Sequence, residues 1–385
     1  MDSLGSVLMS SNEQQIFEII RQVDSGKLDR RTACEVLDVS ERSLYRYLKG
    51  FRSKGLMFLK HGNRGRKPSN VHPYEVKAAA IKIMREVLFD FNMTHGREVI
   101  QEKFGLKIPR ETFRRWCHAG DIVKHRHKRR SKPKYKRTRK TQMGLMVQFD
   151  GSHHQWFGDR KTCLITGVDD ATSSLMEPEF FESENTMDCM VVLKNIIEKN
   201  GVFRLLYVDR AGLYGGMKRS GFSQITRALK ELGISVIYAQ SPEGKGRVER
   251  VFRTLQDRLV PELRLNKIES IELANKYLKT VYTPDHNRRF SVEAEEPESG
   301  FLPLDPSMDL NEVFCIKEHR TVTPDHTISF KAERWKVKHP KGLSLSRRRI
   351  EVRVYPGGEM AAYFLNDKLI LEKIHTNRRT DKVAG

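Results

Sequence analysis

The chain has 385 residues, 31% of them charged, and a formal net charge of +21 at pH 7. A chain of this length is too long for one ordinary hydrophobic core, so several domains are expected. The surplus of cationic residues favours nucleic acid over an anionic membrane surface as the partner. Its apolar runs fall far short of the roughly 20 residues of a membrane span, and five scattered cysteines form no C-x-x-C pair. We therefore expect a cytoplasmic protein without a membrane span, a disulfide framework or a zinc ribbon.

Residues 1–60 have the pattern of a small helical domain that binds DNA. Apolar residues recur at helical spacing in two short segments, and Ser40 can cap a third helix. A short helix, a tight turn and a capped helix form the helix-turn-helix pattern, whose last helix enters the major groove. The predicted DNA contacts are Arg42, Ser43, Arg46 and Lys49. The alternative is a three-helix bundle whose polar face is only solvated.

A basic linker separates this domain from a second helical segment. Residues 61–72 lack periodicity, and Arg64 and Arg66 could enter a narrow minor groove, with a solvated hinge as the alternative. Residues 73–120 repeat the helix-turn-helix pattern, and a proline precedes the last helix. The predicted DNA contacts on the outer face of that helix are Arg110, Arg114 and Arg115.

Residues 121–142 form a second basic linker. Lysine and arginine dominate this block, so we expect it not to pack and instead to follow phosphates while counterions are released. The predicted phosphate contacts are Lys128, Arg129 and Arg130. A plain solvated linker is the alternative.

Residues 143–268 are predicted to form an α/β core. Three consecutive strands are expected first, at 145–150, at 162–170 and through 180–181. Helices at 186–199, 222–232 and 246–263 then alternate with strands at 203–209 and 234–239. Alternation after a meander predicts a mixed sheet with helices on both faces.

Three acids in this core are candidates for chemistry on a phosphodiester. Asp150 and Asp209 end predicted strands, where open sheets bind ligands, and Glu249 lies beside the buried stripe of the last helix. Two metal ions about 3.5–4 Å apart can activate the attacking oxygen and stabilise the leaving oxygen, and Mg²⁺ prefers oxygen ligands. We therefore assign Asp150 to a bridging position and the other two acids to the flanks. The alternative is three unrelated surface carboxylates.

Other polar residues near the acids have less specific interpretations. The residues predicted to hold a DNA strand near the metals are Lys245, Arg247, Arg250 and Arg253. The adjacent Asp169 and Asp170 are interpreted as a turn at a strand end rather than as ligands. Local structure or generic DNA contact is favoured for His153, His154 and Trp156, although Trp156 could also stack on a flipped base.

The order strand-Asp, strand-Asp, helix-Glu resembles the ribonuclease H-like core of DDE transposases and retroviral integrases. Within these, the chain is most similar to insertion-sequence transposases of the ISNCY type. The motifs that carry this similarity lie at 147–152, 168–172, 209–210, 227–233, 241–250 and 254–259. Two positions depart from the family pattern: Ala211 replaces a frequent histidine, and Glu243-Gly244 replaces Gln-Ala.

The resemblance implies an activity, cofactors and partners. It implies cleavage at the ends of an element with Mg²⁺, or with Mn²⁺ as a substitute, followed by joining of the freed 3′ hydroxyl to target DNA. The implied partners are double-stranded transposon ends and target DNA, bound by a homo-oligomer at the bacterial nucleoid. A nuclease without joining activity and a catalytically silent DNA-binding regulator derived from a transposase are the alternatives.

The remaining chain is predicted to form a connector and a β-domain. Residues 269–312 are interpreted as a helical connector. Short strands with regular turns between 313 and 375 indicate a small barrel, like the SH3-like C-terminal domains of this superfamily. Such a barrel could contact DNA or another subunit. The complete expectation is a multidomain chain with all-α helix-turn-helix domains, a central α/β core and a small β-barrel.

Overall fold

A computed structural model describes residues 9–59, 71–122, 137–209, 223–239 and 246–374. By its internal contacts the chain divides into two compact units, residues 1–77 and 78–385. Among the described residues, no helix combines the length and the apolar character needed to cross a membrane.

The first unit contains the three predicted helices. They are α1 (Ser11–Asp24), α2 (Arg30–Leu37) and α3 (Glu41–Lys54), followed by a 3₁₀ turn at Gly55–Phe58. Asp38 ends α2 in the left-handed conformation, which a short polar side chain tolerates. Ser40 then caps α3, because its hydroxyl accepts a hydrogen bond from the backbone N–H of Ser43. The small core consists of Ile20, Ala33, Leu44 and Leu48.

The second helical segment also follows the predicted pattern. It contains α4 (Tyr74–Glu86), α5 (Met93–Phe104) and α6 (Arg110–Ala119). Asn92 caps α5 through a hydrogen bond from the backbone N–H of His95, and Gly105 ends it at a φ of 71°. Pro109 directly precedes α6. The proline lies where the sequence indicated it.

The central domain is built on a five-stranded sheet of order β3-β2-β1-β4-β5. Its strands are β1 (Met146–Phe157), β2 (Arg160–Asp169), β3 (Leu175–Phe181), β4 (Leu205–Val208) and β5 (Ser235–Tyr238). The first three strands pair antiparallel, whereas β4 pairs parallel with both β1 and β5. The predicted meander and the predicted mixed sheet are both confirmed.

Helices cover both faces of this sheet, as predicted. The helices α7 (Thr186–Asn200) and α8 (Gln224–Glu231) pack on one face with Val147 and Phe149 of β1. The long helix α9 (Gly246–Leu265) packs on the other face, where Val248, Leu255 and Leu259 share a core with Trp156. Because successive side chains of a strand point to opposite faces, residues of β1 alternate between these two cores.

After α9 the chain continues as helices within the predicted connector of 269–312. They are α10 (Ile271–Tyr277), a π-helical segment at Leu278–Tyr282 and α11 (Thr283–Phe290). Asn287 of α11 bonds both backbone groups of Leu175 on β3, so α11 is held against the edge of the sheet.

An interface of complementary charge joins α5 to α9 and α11. Glu98 of α5 accepts hydrogen bonds from Arg258 at 2.7 Å and from Arg289 at 3.1 Å. Nearby, His95 lies 2.8 Å from the carboxylate of Glu262. Arg258 is only 11% exposed, so this contact is shielded from solvent more than a surface ion pair is.

The C-terminal domain is a six-stranded antiparallel sheet of order β6-β9-β10-β11-β8-β7. Its elements are α12 (Leu310–Val313), β6 (Ile316–Thr321), β7 (Thr327–Phe330), β8 (Glu333–Lys338), β9 (Arg349–Val354), β10 (Met360–Phe364) and β11 (Asp367–Ile374). The two end strands approach each other, so the sheet nearly closes into a barrel. Arg227 of α8 binds the carbonyl of Val313 at 3.0 Å, which ties this domain to the central one.

The charged interface on α5 leads to a stability prediction. Glu98→Gln should lower the free energy of unfolding by about 1–3 kcal/mol, because Arg258 loses a partly buried carboxylate partner and Arg289 loses one of the carboxylates that it contacts. Chemical denaturation followed by circular dichroism measures this loss. Glu86→Gln is the control, since Glu86 is 62% exposed and lies 4.0 Å from Lys82, and its loss should be near zero. Equal losses in the two variants would contradict the prediction.

Candidate functional site

The pairing of β1 with β4 brings two predicted acids to neighbouring positions. The two strands are parallel, and Gln148 of β1 is the partner of Tyr207 of β4. Two residues further along each strand are Asp150 and Asp209. The pairing ends at Gln148 and Tyr207, and Asp209 lies just beyond the end of β4. If the register continues for two more residues, the two aspartates are neighbours on the same face, since neighbouring strands lie about 5 Å apart.

That face of the sheet is the one covered by α9. Gln148 accepts a hydrogen bond from the backbone N–H of Val248 at 3.2 Å, and Ser152 accepts one from Gln256 at 3.1 Å. Four strand residues span about 13 Å and eight helical residues about 12 Å, so α9 runs alongside β1 in the same direction. Asp150 lies between the two contacted strand residues and shares their face.

Glu249 is exposed in the first turn of α9, next to the residues of the helix that contact this strand. It follows Val248 directly and is two helical turns before Gln256, so it lies almost in line with the residue that contacts Ser152. The helix thus carries Glu249 along the same face of the sheet as Asp150. Extension of the strand register and of the helix periodicity therefore predicts that the three acids share this face near the carboxyl end of β4.

Exposure and donor type make this group a candidate metal centre. Asp150 and Asp209 are half-buried, and Glu249 is exposed, so the face is open to a large substrate. The candidate donors are carboxylate oxygens from three different elements, the donor type that Mg²⁺ prefers. Arg250 and Arg253 are exposed on the same helix, where they can meet phosphates that approach the acids.

Arg247 lies in a different environment from the other predicted DNA contacts on α9. Its side chain is 10% exposed, and its guanidinium lies 2.6 Å from the carboxylate of Asp170, which is fully buried. Burial lowers the pKa of Arg247, with the charge of Asp170 acting in the opposite direction. The interpretation of Arg247 as a strand-holding residue therefore needs correction, because its cationic group is bound inside the protein. Lys245 lies outside the described residues.

The interpretation of Asp169 and Asp170 as a turn at a strand end holds for Asp169 only. Asp169 accepts hydrogen bonds from the backbone of Thr172 at 2.8 Å and of Gly144 at 2.9 Å. Asp170 instead binds side chains from other elements. The last residues of the second basic linker, 137–140, pack against this corner although the block was expected not to pack. The signal missed was Gln148, a polar residue inside a buried strand that must find a partner.

Trp156 is part of the core rather than of a DNA-binding surface. Its side chain is 1% exposed, and its indole N–H donates to the carbonyl of Ser152 at 3.1 Å. It packs edge-on against Phe180 and His154. The interpretation as local structure is confirmed for Trp156, and stacking on a flipped base is excluded in this conformation because the ring faces are covered.

The predicted DNA contacts on α3 and α6 mostly lie at the surface. On α3 and α6 the exposed ones are Arg42, Arg46, Lys49, Arg110, Arg114 and Arg115. Ser43 is half-buried in the first turn of α3. Arg114 is bound by Glu111 at 2.7 Å, and this hydrogen bond, more than any other influence, lowers the pKa of Glu111 to about 2. The predicted contacts that lie outside the described residues are Arg64, Arg66, Lys128, Arg129 and Arg130.

A second group of potential metal ligands lies on the opposite face of β1. Ligand atoms of His153, Cys163 and Glu184 all lie within 4.8 Å of one another. His153 is 3.7 Å from Glu184, the distance of an ion pair, and burial raises the pKa of the Cys163 thiol to about 12. Because residue 153 points away from the face of residue 150, this group cannot share an ion with Asp150.

Comparison with known proteins gives one family model and two extended relatives. Residues 18–75 match the model described as a winged helix-turn helix. The chain is 32% identical over 368 residues to "Putative transposase y4bF" of Sinorhizobium fredii (strain NBRC 101917 / NGR234), which covers 93% of this chain and 80% of that protein. It is 28% identical over 359 residues to the transposase for insertion sequence IS1202 of Streptococcus pneumoniae, covering 83% of this chain and 77% of that protein.

Solved structures give weaker similarities. The HTLV-2 integrase catalytic core domain in complex with magnesium, in its trimeric form, matches 36% of this chain and 85% of its own, with a TM-score of 0.30 and 14% identity. The simian T-cell lymphotropic virus intasome in complex with PP2A regulatory subunit B56 gamma matches 78% of this chain and 100% of its own, with a TM-score of 0.35 and 14% identity.

The burial of Trp156 leads to a prediction about this site. Trp156→Ala should destabilise the second unit by about 3–5 kcal/mol, because it leaves a cavity beneath the face that carries Asp150. Thermal and chemical unfolding measure the loss. Leu273→Ala is the control, since Leu273 is 54% exposed and should cost far less. Retained stability together with weaker DNA binding would instead favour the stacking role.

Proposed function

This chain belongs to the family of insertion-sequence transposases, and we propose that it binds the terminal inverted repeats of a mobile element, cleaves the element ends and joins the freed 3′ hydroxyls to target DNA. The observation that supports the proposal is the parallel register of β1 and β4, because its continuation would bring Asp150 beside Asp209 on the face that α9 covers. Hydrolysis and strand joining are the same displacement at phosphorus, so one set of residues can serve both steps.

The architecture supports the proposed assignment of domains. A mixed sheet of order β3-β2-β1-β4-β5, with helices on both faces, is what a ribonuclease H-like catalytic core requires. The nearly closed C-terminal sheet suits a small SH3-like barrel. We assign catalysis to the central sheet, sequence recognition to α3 and α6, and contacts with DNA or with another subunit to the barrel.

The proposed catalytic roles follow from the donor set. Two bound magnesium ions would supply an activated oxygen nucleophile and stabilisation of the leaving oxygen. Asp150 is the proposed bridging ligand, and Asp209 and Glu249 are the flanking ligands. The exposed Arg250 and Arg253 would hold the scissile strand by its phosphates, which fixes the reacting phosphorus next to the acids without reading the base sequence.

The proposed partners are double-stranded element ends and target DNA, engaged by a homo-oligomer. Exposed cations on α3 and α6 suit major-groove and phosphate contacts, and two recognition helices along one chain suit a long end sequence. Concerted joining of two ends to one target needs one active site at each end, which favours at least two subunits in the complete reaction.

The decisive experiment incubates purified protein with duplex DNA that contains the element ends, in Mg²⁺, and separates the products on denaturing gels. Cleavage followed by strand joining supports the proposal. Cleavage alone indicates a nuclease, and binding without cleavage indicates a regulator; either result would overturn it. Chelation of the metal should abolish both reactions and leave end binding intact, because binding depends on the helical domains.

Substitution of the acids gives the residue-level prediction. Asp150→Asn, Asp209→Asn and Glu249→Gln should each reduce cleavage and joining by about 10³-fold or more, because each removes a charged metal ligand while conserving shape. Band-shift assays should show unchanged end binding. Asp159→Asn and Glu182→Gln are matched controls, since both acids are exposed and lie away from the face of α9. Full activity in any of the three variants would remove that acid from the proposed site.

Recognition of the element ends gives a second prediction. Arg46→Ala on α3 should weaken binding to end DNA by about 1–3 kcal/mol and relax the sequence preference, if Arg46 contacts base edges. Fluorescence anisotropy with end and scrambled duplexes measures both effects. Arg21→Ala is the control, because Arg21 lies on α1 and pairs with Glu18. An unchanged preference would count against α3 as the reading helix.

A further inference from the structure

The fully buried Asp170, just beyond the end of β2, is bound by four donors from three parts of the chain. One carboxylate oxygen accepts hydrogen bonds from Arg137, from Gln148 at 2.7 Å and from Arg247 at 2.6 Å. The other accepts the backbone N–H of Lys140 at 2.9 Å. A buried carboxylate is stable only with such complete pairing, so these four donors are held in one arrangement.

Two of these contacts reach the first turn of α9. Arg247 bonds Asp170 with one amino group and the carbonyl of Arg137 with the other, at 2.6 Å each. Gln148 bonds Asp170 with its NH₂ group and accepts the N–H of Val248 with its oxygen. The start of the helix is thus held by the side chain of Arg247 and by the backbone N–H of Val248. Arg247 binds Asp170 directly, and Val248 is connected to it through Gln148.

This arrangement is placed to act on Glu249. Glu249 follows Val248 directly and lies two residues after Arg247, in the turn that Asp170 holds. Helix ends fray unless their first N–H groups find partners, and here Gln148 supplies the partner for Val248. A cationic side chain in the first turn also opposes the helix dipole, and the charge of Asp170 offsets it.

The last residues of the second basic linker join the same corner. Arg139 bonds the carbonyl of Ala171 at 2.8 Å and the hydroxyl of Ser173 at 2.8 Å. Arg137 binds Asp170 with its guanidinium group, and Lys140 binds it with its backbone N–H. The guanidinium groups of Arg137 and Arg139 are therefore bound by groups of the protein.

We propose that Asp170 is a positioning residue that sets the first turn of α9, and with it Glu249, relative to Asp150. The proposal rests on the proposed function, because Glu249 is a metal ligand only there. The contacts of Asp170 with Arg247 and Gln148 do not depend on that function. Asp170 touches neither substrate nor metal in this scheme; it acts through Arg247 and Gln148. Removal of its charge releases Arg247, frees the amide of Gln148 to rotate and loosens the turn that carries the acid.

The test uses the full-length chain and two measurements that need no activity. Hydrogen–deuterium exchange should rise about tenfold or more at the start of α9 in Asp170→Asn and in Arg247→Gln, while the last turns of the helix stay protected. Calorimetric titration with MnCl₂ should show affinity reduced about 10- to 100-fold in both variants, approaching that of Glu249→Gln. Asp159→Asn should match the wild type in both measurements.

A conservative variant separates positioning from general stability. Arg247→Lys keeps the charge that pairs with Asp170 but cannot also bond the carbonyl of Arg137, so it should restore part of the Mn²⁺ affinity that Arg247→Gln loses. If Asp170→Asn does not fold, the two Arg247 variants provide the same test. Equal affinities for the lysine and glutamine variants would show a merely structural role.

The outcomes distinguish this proposal from the proposed function. Unchanged exchange at the start of α9 would overturn the positioning role, and so would faster exchange with unchanged Mn²⁺ affinity. Faster exchange with lower Mn²⁺ affinity supports it. Failure of the wild-type protein to cut or join end DNA, with Mn²⁺ binding that depends on Glu249, would instead count against the transposase activity alone.

Discussion

The parallel pairing of β1 with β4 is the constraint on which the candidate site depends. A slip of one residue in this register would turn either Asp150 or Asp209 to the face covered by α7, and the two carboxylates could no longer meet. The register is held because Phe149 and Leu206 are buried in the core beneath α7 while Tyr207 lies on the opposite face. Burial of apolar groups on both faces therefore places the acids.

The cationic surplus serves two purposes that composition does not separate. The arginines predicted to contact DNA on α3 and α6 are exposed, although Arg114 and Arg115 also pair with Glu111. By contrast, Arg247, Arg258 and Arg289 are bound to carboxylates inside the second unit. Such internal pairs resist salt better than surface pairs do, because solvent and ions reach them less. Net charge alone thus overstates the number of side chains that can contact phosphates.

Much of the architecture could be predicted because local signals are strong. Ser40, Asn92 and Gly105 mark helix ends through their own hydrogen bonds or backbone conformation, and apolar runs mark the strands of the meander. Local structure was a favoured interpretation of Trp156, and its burial agrees, although the strand was predicted to end at residue 150 and β1 continues to Phe157. Asp150 and Asp209 were identified because each follows an apolar run, and Glu249 because it lies beside the buried stripe of a helix.

Contacts between distant segments could not be predicted in this way. Arg247 and Asp170 are 77 residues apart, and an arginine beside a proposed catalytic glutamate is equally typical of a phosphate contact. Residues 137–140 likewise have the composition of a solvated linker, yet they pack because buried Asp170 requires their donors. Burial around a partner, rather than residue type, decides such cases.

The sequence by itself determined the helices and strands, the acidic residues at their ends and the family resemblance, because these depend on periodicity, capping and short motifs. The tertiary structure decided which face of the sheet each acid shares, which arginines are turned inward and how α9 begins. The physical reason is that strand register and the pairing of buried charges are set by contacts between distant residues. The sequence around one residue does not specify which distant residue it will contact.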